Sequence, residues 1–122
     1  VVYSEDGLDE ISPCASTNYY KVWDGEVTEG KLSPADFGLE ALDPSALEPA
    51  RTVDGNAAIL LEALSKAESA RSKALIPSAG TALWLTGQAQ DLKVGAEMAC
   101  EAISSGRALA KLHHLAAESQ AQ

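Results

Sequence analysis

The sequence predicts an α/β domain in which strands come first and helices second, and three observations carry that expectation. Asp24-Gly25 separates two β-forming runs, and both central residues of a type I′ hairpin turn need positive φ. Leucine and alanine recur at helical spacing in the second half of the chain. Between the halves, Pro44 and Pro49 interrupt any long helix, so residues 39–53 read as a connector.

The elements follow in order. Val1-Val2-Tyr3 is a short strand. A hairpin plus one lone strand does not make an independently stable sheet, so this strand is expected to need neighbours from outside the chain. Residues 5–18 are rich in acids, Ser, Thr, Gly and Pro, and read as loop. Tyr19-Tyr20-Lys21-Val22-Trp23 and Glu26-Val27-Thr28 form the hairpin. Ser33-Pro34 opens a short turn, because serine accepts free backbone N–H groups and proline suits the first helical position. Phe37 is the expected apolar anchor of that turn. Residues 56–66 place Ala57, Leu60, Leu61 and Leu64 on one helical face. A second helix is expected from about Pro77 to residue 85, ending before Gly87. Residues 92–105 carry Leu92, Ala96, Ala99 and Ile103 at helical spacing and stop at Gly106. Leu109, Leu112, Leu115 and Ala116 mark a last short helix. The expected organisation is a single partial domain over residues 1–122. It divides into strand, acidic loop and hairpin (1–38), connector (39–53), about four helices (54–117) and a tail (118–122).

Composition narrows the function. The 122 residues are 22% charged and 46% apolar, with a formal net charge of -9. That charge argues against a nucleic-acid or anionic-membrane partner, since both demand a basic footprint. It leaves room for an anionic substrate if a divalent cation sits between the two. Cys14 and Cys100 are far apart and lack metal-ligand spacing, so they read as two reduced thiols of a cytoplasmic protein. No apolar run approaches the roughly 20 residues that span a bilayer. The chain opens without an initiator Met, directly on a β-forming run, as expected of a fragment lacking upstream sequence. Trp23 and Trp84 read as packing residues, and His113-His114 as part of a solvated terminal helix.

The densest chemical signal is Glu5-Asp6-Gly7-Leu8-Asp9-Glu10, with four carboxylates fed by a strand and a glycine that lets the backbone turn. By spacing alone the run reads first as a solvated acidic loop. The alternative is Mg²⁺, which takes one or two protein carboxylates together with phosphate and water.

Longer motifs favour the alternative. Val1-Val2-Tyr3-Ser4-Glu5-Asp6-Gly7-Leu8-Asp9-Glu10-Ile11-Ser12-Pro13 resembles V-V-H-[GS]-x-x-G-L-D-E-[VIM]-S-P of the anthranilate phosphoribosyltransferases. Asp24-Gly25-Glu26-Val27 and Leu32-Ser33-Pro34-Ala35-Asp36-Phe37-Gly38-Leu39 resemble that family's D-G-E-[IV] and L-[TS]-P-x-D-F-G-L. Asn56-Ala57-Ala58-Ile59-Leu60 with Ala63-Leu64-Ser65, Ala82-Leu83-Trp84-Leu85-Thr86-Gly87, and Ser105-Gly106-Arg107-Ala108-Leu109 are similar to its later motifs. Each match is weak alone, but their shared order and spacing over about residues 1–117 are specific.

The resemblance implies the C-terminal part of the α/β domain of a nucleoside-phosphorylase/phosphoribosyltransferase-like fold. It implies magnesium-dependent transfer of phosphoribosyl from phosphoribosyl pyrophosphate to anthranilate, a step of tryptophan biosynthesis that releases pyrophosphate. It assigns Asp9 and Glu10 as the pair binding Mg²⁺. The family's G-T-G-G-D loop, its K-H-G-N-R stretch and its anthranilate-contacting Arg have no counterpart here. The chain is therefore expected to need the remainder of the enzyme, and to be inactive alone. Two alternatives remain: a non-catalytic remnant acting as a binding or assembly module, and a segment of a related nucleoside phosphorylase. The sequence also departs from the family. Tyr3 replaces a His, and Pro77-Ser78-Ala79-Gly80-Thr81-Ala82-Leu83 stands where the family has L-N-A-A-A-A-L. Pro and Gly there are expected to weaken the second helix and loosen its packing.

Overall fold

The computed structural model describes residues 1–120. Among them the chain forms three strands, β1 (Val2–Ser4), β2 (Thr17–Trp23) and β3 (Glu26–Leu32), then four α-helices. These are α1 (Val53–Ser65), α2 (Ala70–Leu85), α3 (Leu92–Ser104) and α4 (Arg107–Gln120). Two 3₁₀ turns, Pro34–Phe37 and Pro44–Leu47, join the halves.

The sheet is antiparallel in the order β1-β2-β3. The hairpin turns at the expected pair, with φ of 48° at Asp24 and 79° at Gly25, and continues to Leu32. The expectation that the first strand lacks a partner within the chain is corrected. β1 pairs with β2, with Val2 opposite Tyr19 and Ser4 opposite Thr17. The acidic loop makes this possible by folding back on itself. Ser4 N–H donates to Leu8 O at 2.9 Å and Glu5 N–H to Ser16 O at 2.9 Å, closing the base of the loop beside the ladder.

Phe37 anchors the first 3₁₀ turn in the core with Ile11, Ile76, Ala96, Ala99 and Ile103. Asp36 Oδ2 accepts from both the Ser33 N–H and the Ser33 hydroxyl at the start of that turn, and Gly38 closes it in the left-handed region. Helix bounds move in three places. α1 starts at Val53, where Thr52 Oγ1 accepts the Gly55 N–H, so the connector ends one residue earlier than expected. α4 runs to Gln120, so residues 118–120 are helix rather than tail; residues 121–122 lie outside the described residues.

The largest shift is in α2, which begins at Ala70 and carries Pro77 in its interior. Proline there removes an N–H from the helix ladder, which is why sequence reasoning starts the helix at that residue. Packing overrides that preference. Ser69 caps the true start through the Ser72 N–H, and Ile76 and Pro77 are both fully buried. Ser72 Oγ, also buried, donates to the carbonyls of Ala63 and Lys66, stitching the end of α1 onto α2.

The expected looseness at Gly80 is also overturned. α2 and α3 form the most extensive helix pair, and their backbones meet at Gly80 and Gly95. A Cβ on Gly95 would lie 2.3 Å from Gly80 O, and one on Gly80 would lie 2.8 Å from Ala96 N. Gly80 is therefore a condition of the close approach, not a defect in the helix.

Candidate functional site

The loop from β1 to β2 carries all four acids, and the structure sorts them into two pairs. Glu5 is ion-paired with Lys31 across the sheet. Asp6 Oδ2 accepts a 2.5 Å hydrogen bond from Ser12 Oγ. Asp9 and Glu10, by contrast, are exposed, and among the described residues their carboxylates join no ion pair.

Three buried hydroxyls hold this loop, and sequence reasoning missed their role. Ser4, Ser12 and Thr17 are 7%, 1% and 0% exposed. Ser4 Oγ donates to Glu10 O at 2.7 Å, which fixes the backbone beneath the exposed pair. Because that spends the Ser4 proton, the 2.6 Å contact between Ser4 Oγ and Thr17 Oγ1 has threonine as donor. Thr17 Oγ1 in turn accepts the Ser12 N–H at 2.9 Å. Ser12 Oγ accepts the N–H groups of Cys14 and Ala15, both at 3.0 Å. The available signal was Ser12-Pro13 in the loop motif, which marked a similarity without revealing a hub.

Removing the hub's centre has a calculable cost. Thr17→Val keeps shape but removes two buried hydrogen bonds, the one Thr17 donates to Ser4 Oγ and the one it accepts from the Ser12 N–H, which is left with Ser4 Oγ at 3.2 Å. The expected loss is about 1–3 kcal/mol of stability, read as a lower melting temperature by circular dichroism. An unchanged melt would show that the network does not hold the loop.

The donor set can be tested against a cation. Among the described residues no group of three or more His, Cys, Asp or Glu is arranged to hold a metal by protein ligands alone. That excludes a closed zinc-like site there. Mg²⁺ does not require such a group, because it completes an octahedron with phosphate oxygens and waters beyond one or two carboxylates. Two unpaired, solvent-facing carboxylates on an anchored loop fit such a shared ion.

The remaining candidates are the cysteines, the histidines and the tryptophans. Burial raises the Cys14 thiol pKa, with Asp6 and Asp43 adding to it; burial also raises that of Cys100, with Glu68 contributing. Both cysteines are free and held as thiols rather than activated. His113 and His114 are exposed on α4, with His114 Nε2 3.7 Å from Glu118 Oε1. Trp23 corrects its expectation of packing, being 60% exposed. The Lys21 ammonium lies 5.7 Å from its ring centroid and 4.7 Å from that of Trp84. No helix among the described residues is long and apolar enough to cross a membrane.

Comparison with known proteins agrees with the motifs. The family model described as the glycosyl transferase family, a/b domain, matches residues 1–109. The anthranilate phosphoribosyltransferase of Cupriavidus pinatubonensis is 39% identical over 120 residues, covering 98% of this chain and 32% of that protein. That of Azorhizobium caulinodans is 40% identical over 121 residues, covering 99% and 35%. The chain thus spans about a third of the length of these relatives. In three dimensions it is similar to anthranilate phosphoribosyltransferase from Saccharomyces cerevisiae in complex with 4-fluoroanthranilate, with a TM-score of 0.79 and 29% identity. That match covers 93% of this chain and 33% of the yeast one. The same yeast protein in complex with PRPP and Mg also gives a TM-score of 0.79. Motif order, fold and family match converge on one assignment: the chain belongs to the glycosyl transferase family whose α/β domain is found in the anthranilate phosphoribosyltransferases.

Proposed function

We propose that this chain is the C-terminal third of a cytoplasmic anthranilate phosphoribosyltransferase. The complete enzyme would transfer phosphoribosyl from phosphoribosyl pyrophosphate to the amine of anthranilate and release pyrophosphate, in tryptophan biosynthesis. The observation that carries the reading is the sorting of the acidic loop. Of the loop's four carboxylates, only Asp9 and Glu10 have no ion pair or hydroxyl partner among the described residues, in a chain whose fold is similar to that of a protein solved with PRPP and Mg.

Asp9 and Glu10 would hold Mg²⁺. Such a cation neutralises charge that builds on a departing pyrophosphate. The chain's own contribution is to keep the two carboxylates in place through the hydrogen bond from Ser4 to Glu10 O and the Ser12–Thr17 hub behind it. It also keeps Asp6 and Glu5 from competing, since each already has a partner.

The pyrophosphate cradle and the anthranilate pocket belong, in this reading, to the remaining two thirds. Positioning of two reactants is worth about 7–11 kcal/mol of barrier, so the isolated chain is expected to give no measurable transfer. The test compares the isolated chain with a chimera in which these 122 residues replace the corresponding third of the Cupriavidus pinatubonensis enzyme. Anthranilate consumption with phosphoribosyl pyrophosphate and Mg²⁺ is followed by fluorescence. Transfer by the chimera alone supports the proposal; a folded but silent chimera counts against it.

A further inference from the structure

An antiparallel sheet with one face in water alternates apolar and polar residues along each strand. Here the face turned to water is only partly polar. Beside Asn18, Glu29 and Lys31, the register puts four apolar or aromatic residues on one face, Tyr3, Tyr20, Val22 and Val27, with Val22 directly opposite Val27. They are 52%, 41%, 66% and 65% exposed. On the opposite face Val2 and Leu32 pack against the helical core. Near the hairpin end the inner face instead carries Lys21, Trp23, Glu26 and Thr28, so the uncovered apolar patch of Tyr20, Val22 and Val27 lies on the outer face alone. A contiguous apolar patch left in water marks a surface that another segment covers.

The edge of β2 is open at the same place. Val1 and Tyr20 exchange both backbone hydrogen bonds, so by alternation the N–H and C=O of Val22 point to the side where β1 has ended. An unpaired edge beside a bare apolar face is a template for another segment. An apolar cleft of about 490 Å³, lined among others by Val2, Trp84 and Leu85, adjoins it on the inner side.

We infer that the outer sheet face at Tyr20, Val22 and Val27, with the open β2 edge beside it, is an interface for an apolar segment of the remaining two thirds of the family protein. The inference rests on the functional reading above. It commits to this occupant because the chain covers only 32% and 35% of two relatives' lengths, so most of the protein that could cover the face lies outside these residues. The rival occupant is a second copy of this chain.

The test uses thiol labelling by iodoacetamide, resolved by peptide mass, in the isolated chain and in the chimera. The Val22→Cys thiol is expected to react at least tenfold more slowly in the chimera. The Glu68→Cys thiol, at a position whose side chain is 94% exposed, should react equally in both. In a second measurement, Val22→Thr with Val27→Thr should lower the melting temperature of the chimera but not that of the isolated chain. Equal labelling at Val22→Cys in the two proteins overturns the inference. So does protection already present in the isolated chain that rises with concentration, since the occupant is then a second copy. Protection in a chimera that transfers no phosphoribosyl sinks the catalytic reading and leaves the interface standing; transfer without protection does the reverse.

Discussion

Gly95→Ala is expected to destabilise the chain by about 1–3 kcal/mol, the usual cost of forcing an extra methyl into a packed interior. Two effects oppose each other. Alanine is the better helix former by about 0.8–1.0 kcal/mol, and Gly95 lies inside α3, so propensity alone predicts a gain. The contact decides the sign. The new Cβ would sit 2.3 Å from Gly80 O, a backbone atom of α2 that no rotamer change can move. α2 and α3 must separate, and the separation loosens Ile76 from Ala96, Ala99 and Ile103, which share one core cluster. Gly80→Ala should cost a similar amount. The double variant should cost less than the sum, because the helices are already apart after the first change. Thermal melts of the three variants give the answer. A melting temperature for Gly95→Ala at or above that of the parent would show that the helices do not touch where the structure puts them.

That result bears on how much of the fold the sequence reveals. Local signals were legible wherever one residue dictates one backbone state. Asp24-Gly25 marked the hairpin turn, and Ser33-Pro34 the 3₁₀ turn that seats Phe37. What escaped was non-local. The pairing of β1 with β2 depends on hydrogen bonds closing the loop between them, which no periodicity encodes. Pro77 and Gly80 read as breakers because propensity counts one helix at a time, whereas each is buried against neighbours. The site divides in the same way. The acidic pair was visible as a motif, but the hydroxyl hub beneath it joins residues 4, 12 and 17 only once the loop has folded. The partners of Glu5 and Asp6, which single out the other two acids, were equally invisible.

The sorting of the acids makes the second large prediction specific. In the chimera, Asp9→Asn and Glu10→Gln are each expected to lower phosphoribosyl transfer about 10–100-fold, equivalent to about 1.4–2.8 kcal/mol of barrier. Both substitutions keep side-chain size, so the lost charge is the variable. A cation shared with phosphate loses attraction when one of its few carboxylates becomes neutral. The apparent Mg²⁺ requirement should therefore rise, and excess Mg²⁺ should restore part of the rate. The other two acids provide the contrast. Glu5→Gln removes an exposed pair with Lys31, worth about 0–1 kcal/mol, and should leave the Mg²⁺ dependence where it was. Asp6→Asn weakens the acceptor of the Ser12 hydroxyl and should appear as a lower melting temperature before it appears in the Mg²⁺ titration. The four variants together separate a metal-binding role from a loop-holding one. If Asp9→Asn and Glu10→Gln behave like Glu5→Gln, the pair is a solvated turn, and the cation is held by residues outside this chain.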